Sequence, residues 1–492
     1  MKQSHLKELL ENEQHQEILD QLLEFERKSD ENLFLMKQIG YVFYKSRALG
    51  DLQRFEKALQ VSKQAQELIS PEDKVTYLVL LIVQLYVLNQ LNRLTEAEKV
   101  IFDGDTIIGL MSSNEYEEGK EWIALFYNFK GNFYYQKEEW DNAIDYYKRS
   151  LTLKESVDTL TNIGWIYYHQ KGKYDKALTF FERCLALSKT ISNPHYIALS
   201  LNNIGFIYTS KEEYYTALDY YHRSLTMFEA QGSPLAVTMV TTNIGTTYRK
   251  KGELAKALSY HQRCLKIQRE ENDHEGTAFS LFSLFLITLY QQDQNNAQKY
   301  QKKLETLYEH IPHKDISLYN KIAKALILKE SKRMRDKVKA QTLLREVVNL
   351  ERRGYTAGAV FHLCELLLDE LKLYGDPEVL IEINNLMQKL YLFAQEQELY
   401  SNACAALILQ SKLAAIEGNF QQALEHLSRA EKMAEERNLG RLVLKIQNQH
   451  RILNAELDKW QELTRRNAPL TDRLEHAKLE EYLKEARRIT GR

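Results

Sequence analysis

A block built on Gly-x-x-Tyr recurs four times in this chain, and no other feature restricts its fold as strongly. The copies read Gly131-Asn132-Phe133-Tyr134, Gly164-Trp165-Ile166-Tyr167, Gly205-Phe206-Ile207-Tyr208 and Gly245-Thr246-Thr247-Tyr248, at intervals of 33, 41 and 40 residues. Twelve or thirteen residues after each glycine a second block follows: Ala143-Ile144-Asp145-Tyr146-Tyr147, Ala177-Leu178-Thr179-Phe180-Phe181, Ala217-Leu218-Asp219-Tyr220-Tyr221 and Ala257-Leu258-Ser259-Tyr260-His261. Each continues with Arg, then Ser or Cys, then Leu. Apolar residues three and four apart on both sides of a short polar stretch describe two amphipathic helices packed antiparallel. Residues 136–139, 170–173, 210–213 and 250–253 are the predicted turns. Glycine on the first helix and alanine on the second lack bulk, so the two axes can approach closely at that level.

Composition agrees with a helical reading. In 492 residues there are 19 Gly and 6 Pro, too few to punctuate many strands and turns. Hydrophobic residues are 44% and charged residues 27%, enough for an extensive core. Lys plus Arg is 66 against Asp plus Glu 68, a formal charge of -2, so no global field draws the chain to nucleic acid or an anionic membrane. The first residues carry no secretory signal, and the most apolar stretch, 77–91, is interrupted by Gln84, Asn89 and Gln90 and is too short to cross a bilayer. Four cysteines far apart, without a CxxC pair, argue against a zinc or redox motif and for a reducing, cytoplasmic setting. No cofactor is expected.

The two blocks together resemble the tetratricopeptide repeat, which places Gly, Tyr three residues on, then Ala, then an aromatic four further. Gly164, Tyr167, Ala177 and Phe181 match throughout, as do the sets Gly131, Tyr134, Ala143, Tyr147 and Gly205, Tyr208, Ala217, Tyr221; the fourth set ends in His261. The spacing near 40, with Asn-Ile-Gly at 162–164, 203–205 and 243–245, looks like the kinesin light chain and LGN subgroup. The proline that usually closes the second helix is missing, and Pro194 and Pro234 come later, which predicts longer helices. The register extends to 94–98, 296–300, 339–343 and 418–423.

The resemblance implies an all-α fold, a right-handed α-solenoid of stacked antiparallel helix pairs. It divides the chain into an N-terminal helical cap (1–30), divergent repeats (31–118), well-matched repeats (119–274), further divergent repeats (275–440) and C-terminal capping helices (441–492), since an array of nearest-neighbour contacts needs its ends covered.

In this family extended partners lie on the concave surface formed by the first helices. The resemblance puts Asn128, Asn162, Trp165, Asn202, Asn203, Phe206, Asn243, Arg249 and Lys250 on that lining. Amides both donate and accept, so a row of Asn suits a peptide backbone; Trp165 and Phe206 would be apolar anchors, and Arg249 with Lys250 a basic end favouring an acidic ligand. The ladder Arg149, Arg183, Arg223 and Arg263 reads as a solvated outer face, and Cys184 and Cys264 as packing residues in a slot held elsewhere by Ser150 and Ser224. No phosphate loop, HExxH, nucleophile elbow or kinase signature occurs, and the 13 histidines do not cluster at metal-ligand spacing.

Two functions follow. The first is a non-enzymatic interaction scaffold that holds a protein or peptide partner, with no nucleic acid and no membrane insertion. The alternative is a peptide-responsive regulator resembling the Rap-type response-regulator phosphatases, with helices at 4–28, 33–48 and 53–69 as the effector bundle.

Overall fold

A computed structural model describes residues 54–489, except 71, 170–172, 353, 397, 398 and 438, together with 17, 19, 20, 45 and 49. Among the described residues there are 24 helices and no strand, so the fold is all-α. The expected N-terminal cap, and most of the proposed effector bundle, lie outside the described residues.

The chain forms two compact units, 1–211 and 212–492, and the boundary falls inside the block of well-matched repeats. The first unit contains α1 (Phe55–Leu68), α2 (Lys74–Gln90), α3 (Leu94–Gly109), the short α4 (Ser113–Glu118), α5 (Lys120–Gln136), α6 (Trp140–Leu153), α7 (Val157–His169), α8 (Tyr174–Thr190) and α9 (Pro194–Ser210). In the second are α10 (Tyr214–Gln231), α11 (Pro234–Lys251), α12 (Leu254–Glu270), α13 (His274–Tyr290), α14 (Gln294–His310), α15 (Lys314–Lys329), α16 (Met334–Asn349), α17 (Thr356–Tyr374), α18 (Pro377–Glu396), α19 (Tyr400–Glu417) and α20 (Phe420–Glu436). Four further helices end it: α21 (Gly440–Ala455), α22 (Leu457–Arg465), α23 (Leu470–Ala477) and α24 (Leu479–Ile489). In each unit helices pack chiefly against their neighbours in the chain, as stacked hairpins do.

The turn inside the hairpins is a repeated device. A residue one or two positions past the helix end adopts a left-handed conformation, as at Gly252, Asn92, Glu138 and Gln292, and the next amide donates back five residues. Arg93 N–H reaches the Leu88 carbonyl at 3.0 Å, Glu139 that of Tyr134 at 2.9 Å, Glu253 that of Tyr248 at 2.9 Å and Asp293 that of Thr288 at 2.9 Å. These bonds satisfy carbonyls left over at the helix end, which ends the first helix and aims the second back along it. Pro194 and Pro234 each stand in the first turn of the following helix, where proline loses no needed N–H bond, so they open first helices instead of closing second ones.

The alanine register holds across both units. Ala97, Ala143, Ala177, Ala217, Ala257, Ala297, Ala340 and Ala423 are all fully buried. The space over the glycine is filled by the ring four residues past the alanine: a Cβ at Gly131 would stand 2.5 Å from Tyr147, and one at Gly164 would stand 2.6 Å from Phe181. Glycine therefore seats an aromatic ring, a more specific role than allowing two axes to approach.

The C-terminal segment departs from neighbour-to-neighbour packing. The chain breaks there at Glu456 and again at Lys478, which has φ of 49°, and so forms four helices. Here α24 lies against α17 and α19, and α23 against α19. Leu479, Tyr482, Leu483 and Ala486 join the apolar core that holds Leu368 and Leu409. Lys412 donates to the Ala477 carbonyl at 3.2 Å, Arg473 to that of Ile416 at 2.8 Å and Lys372 to Glu480 at 2.7 Å.

Candidate functional site

In the first unit the expected lining residues are divided by burial. Asn128 on α5 is buried, and its amide donates to Thr159 Oγ1 of α7 at 2.7 Å. Asn202 and Asn203 on α9 are buried as well, with Asn202 Nδ2 3.5 Å from Asn203 Oδ1. Asn128 thus links two first helices, and Asn202 and Asn203 interact along one. Asn162 is partly exposed. It donates to Asn132 Oδ1 at 3.1 Å, the same oxygen that accepts from the buried Tyr147 hydroxyl at 2.6 Å. Burial raises the Tyr147 phenol far above its ordinary pKa, so it stays a neutral donor.

Trp165 and Phe206, both partly exposed, lie on successive first helices and pack against each other. Their ring centroids lie 5.3 Å apart at 70°, and Tyr168 completes the group at 5.7 Å from Trp165 and 5.1 Å from Phe206. Phe181 of α8 backs Trp165 at 5.3 Å. Edge-to-face contact of this kind fixes ring orientation.

The second unit holds Asn243, Arg249 and Lys250 on α11. Asn243 is partly exposed, and its backbone carbonyl accepts from Thr247 Oγ1 at 2.8 Å. Lys250 is exposed, whereas its neighbour Lys251 pairs with Glu253 at 2.5 Å and covers the Tyr215 ring at 3.7 Å. Arg249 differs from the other cations of this run. Its side chain is mostly withdrawn from water and has no carboxylate partner among the described residues; the groups that act on it electrostatically are Tyr290 and Tyr355. Desolvation pushes its pKa below the ordinary value, though a guanidinium remains charged at neutral pH.

Beside it stands His261, in the slot that Tyr147, Phe181 and Tyr221 fill elsewhere. It is fully buried, and neither ring nitrogen has a hydrogen-bond partner. Burial, with the nearby Arg249 charge, lowers its pKa from 6.5 to about 3, so the ring is neutral. From His261 a row of rings crosses three hairpins. Phe279 of α13 lies 6.4 Å from His261 and 6.0 Å from Tyr319 of α15, which stacks on Phe282 at 5.1 Å and meets Tyr355, at the start of α17, at 5.6 Å. This row was not foreseen from the sequence; the one available signal was His261 breaking the aromatic consensus.

Residues read as structural behave so. Arg149 pairs with Asp145 at 2.9 Å, Arg183 with Glu155 at 2.5 Å, Arg223 with Asp219 at 3.5 Å, and Arg263 with Glu229. Each arginine of the ladder thus has its own carboxylate. Cys184 and Cys264 are buried beside Thr161 and Thr242 at 3.4 Å, and burial pushes both thiols up to about 11, away from the reactive thiolate. Among the described residues no helix is long and apolar enough to cross a membrane.

The stacked hairpins have counterparts of known structure. The apo form of the quorum sensor NprR from B. thuringiensis is 14% identical with a TM-score of 0.52, the match covering 70% of this chain and 97% of that one. The apo form of RapI is 16% identical with a TM-score of 0.50, covering 80% and 98%. At such identities the likeness is one of fold. No curated protein matches the sequence. The MalT-like TPR region matches residues 124–446, well over half the chain, and with the alanine register, the seated rings and the repeated turn in place, the chain belongs to the MalT-like TPR family.

Proposed function

We propose that the chain is a non-enzymatic scaffold that binds an extended peptide or partner helix on the faces formed by its first helices, and that Arg249 receives an acidic group of that partner. The observation that carries this reading is the desolvated Arg249 guanidinium without a carboxylate, beside a row of rings. Holding a charge out of water without a counter-ion costs stability, and an incoming carboxylate would recover that cost. The first unit offers a face of its own, with Asn162, Trp165 and Phe206 as its proposed contacts, since they remain partly exposed. Asn128, Asn202 and Asn203 support those helices from behind.

The test is fluorescence anisotropy with two labelled pools of short random peptides, one ending in Asp or Glu and one ending in Lys. The acidic pool binds saturably, more weakly as salt rises, and Arg249→Gln removes its advantage. Equal binding of both pools, or an advantage that survives Arg249→Gln, overturns the assignment.

A second reading has its own support. The folds of RapI and of NprR, a quorum sensor, are shared over most of their lengths, which favours a peptide-responsive regulator. Its test is direct: full-length chain added to a phosphorylated receiver domain either speeds loss of the phosphoryl group, supporting a Rap-like activity, or leaves the rate unchanged, supporting the scaffold alone.

A further inference from the structure

The second unit contains a cavity of about 470 Å³ between the second helices α12 and α14, with the first turns of α13 forming one wall. Arg269, Lys302 and Lys303 line it, with His274 and His310, and none of the described lining residues is a carboxylate. Leu281 and Leu307 supply an apolar side.

The three cations line this cavity without a direct ion pair among the described residues, unlike Arg263, on the same helix α12 as Arg269, which pairs with Glu229. Of the acids nearest in sequence, Asp273 accepts from the Gly276 amide at 2.9 Å at the start of α13, Glu270 lies 4.0 Å from Lys266, Glu271 is exposed, and Glu305 pairs with Lys324 at 2.9 Å while also feeling the Lys302 charge. Lys303 is partly buried, and its pKa is lowered by that burial and by the charges of Arg269 and Lys299. Like charges gathered in a concave site with an apolar wall focus positive potential into it.

We infer that this cavity is a binding site for a phosphate-bearing small molecule, held by Arg269, Lys302 and Lys303, with Leu281 and Leu307 receiving its less polar part. Arg269 can engage phosphate oxygens in a forked, two-bond contact, and the two lysines act as point charges on the remaining oxygens. A phosphoryl group suits three cations lining one cavity better than a carboxylate does, because it carries up to two charges and three accepting oxygens. The site is separate from the acidic-peptide contact at Arg249 and does not rest on it.

Calorimetric titration of the full chain with inorganic pyrophosphate tests this. Saturable binding is expected, and Lys302→Gln with Lys303→Gln should raise Kd by about tenfold or more, the scale of one lost charged hydrogen bond. Lys332→Gln with Lys339→Gln removes the same charge from exposed positions outside the cavity and should leave Kd unchanged. A parallel flotation with phosphatidate vesicles separates a soluble phosphate from a lipid headgroup. No saturable pyrophosphate binding, equal weakening in both double variants, or retention on vesicles without pyrophosphate binding would each overturn the inference.

Discussion

At position 261 an imidazole occupies a slot built for a benzene ring, and the mismatch has a measurable cost. Two buried nitrogens without partners should destabilise the second unit, so His261→Phe is expected to stabilise it by about 1–3 kcal/mol in chemical denaturation. The effect has a pH signature. The folded pKa near 3 lies below the ordinary 6.5, so between those values the unfolded chain binds a proton that the folded chain refuses, and stability falls as pH falls through that window. The gain from His261→Phe should therefore be larger at pH 5 than at pH 7.5; a pH-independent gain would show that the imidazole is not held neutral. Arg249→Gln should likewise raise the melting temperature of the free protein while removing acidic-peptide binding, a trade of stability against function. A lowered melting temperature in that variant would mean that the guanidinium is structurally satisfied. Neither effect is legible in sequence. Arg249 reads as one member of an ordinary basic run, and its lack of a partner depends on residues up to 106 positions away, at Tyr355.

At the scale of the hairpin, the sequence is far more explicit. Turn positions, helix starts and buried alanines follow from contacts three, four or five residues apart, and they fall where the periodicity puts them. What periodicity does not reveal is which polar residues of a first helix are covered. Asn162 and Asn203 stand at the same register, two residues before the glycine, yet Asn203 is buried and Asn162 is partly exposed, because burial is decided by the neighbouring hairpins. The seating of a ring on glycine gives a sharp expectation. Gly131→Ala brings its Cβ to 2.5 Å from the rigid Tyr147 ring and should cost about 1–3 kcal/mol, as overpacking does. At Gly109 a Cβ meets nothing within 4 Å, and Gly109→Ala should be nearly neutral. Thermal melts of the two variants side by side check the register, and equal shifts would contradict it.

For the molecule as a whole, two compact units of stacked hairpins share one construction rule, and the C-terminal helices are the exception to it. That the C-terminal segment is helical is readable from its sequence, whereas its return onto α17 and α19 is not, since the contact between Lys372 and Glu480 spans 108 residues. Leu483, fully buried, is the centre of this contact. Leu483→Ala should cost about 2–5 kcal/mol, the range for a large core side chain cut to a methyl group. Limited proteolysis should then cleave first within 470–492, and cleavage beginning in the first unit would place the weak point elsewhere.

That return contact also sets an order of events during synthesis. A hairpin that packs only on its predecessor can close as soon as it leaves the ribosome, and most of this chain is of that kind. The face shared by α17 and α19 must wait until the last helix emerges, more than a hundred residues after α17 was made. At roughly 5–20 residues per second, the parts of α17 and α19 that α24 covers remain open to water, and to other nascent chains, for several seconds. Ribosomes stalled shortly before residue 470 would hold that surface open indefinitely, so it is there, in the interval before α24 emerges, that a chaperone has most to protect.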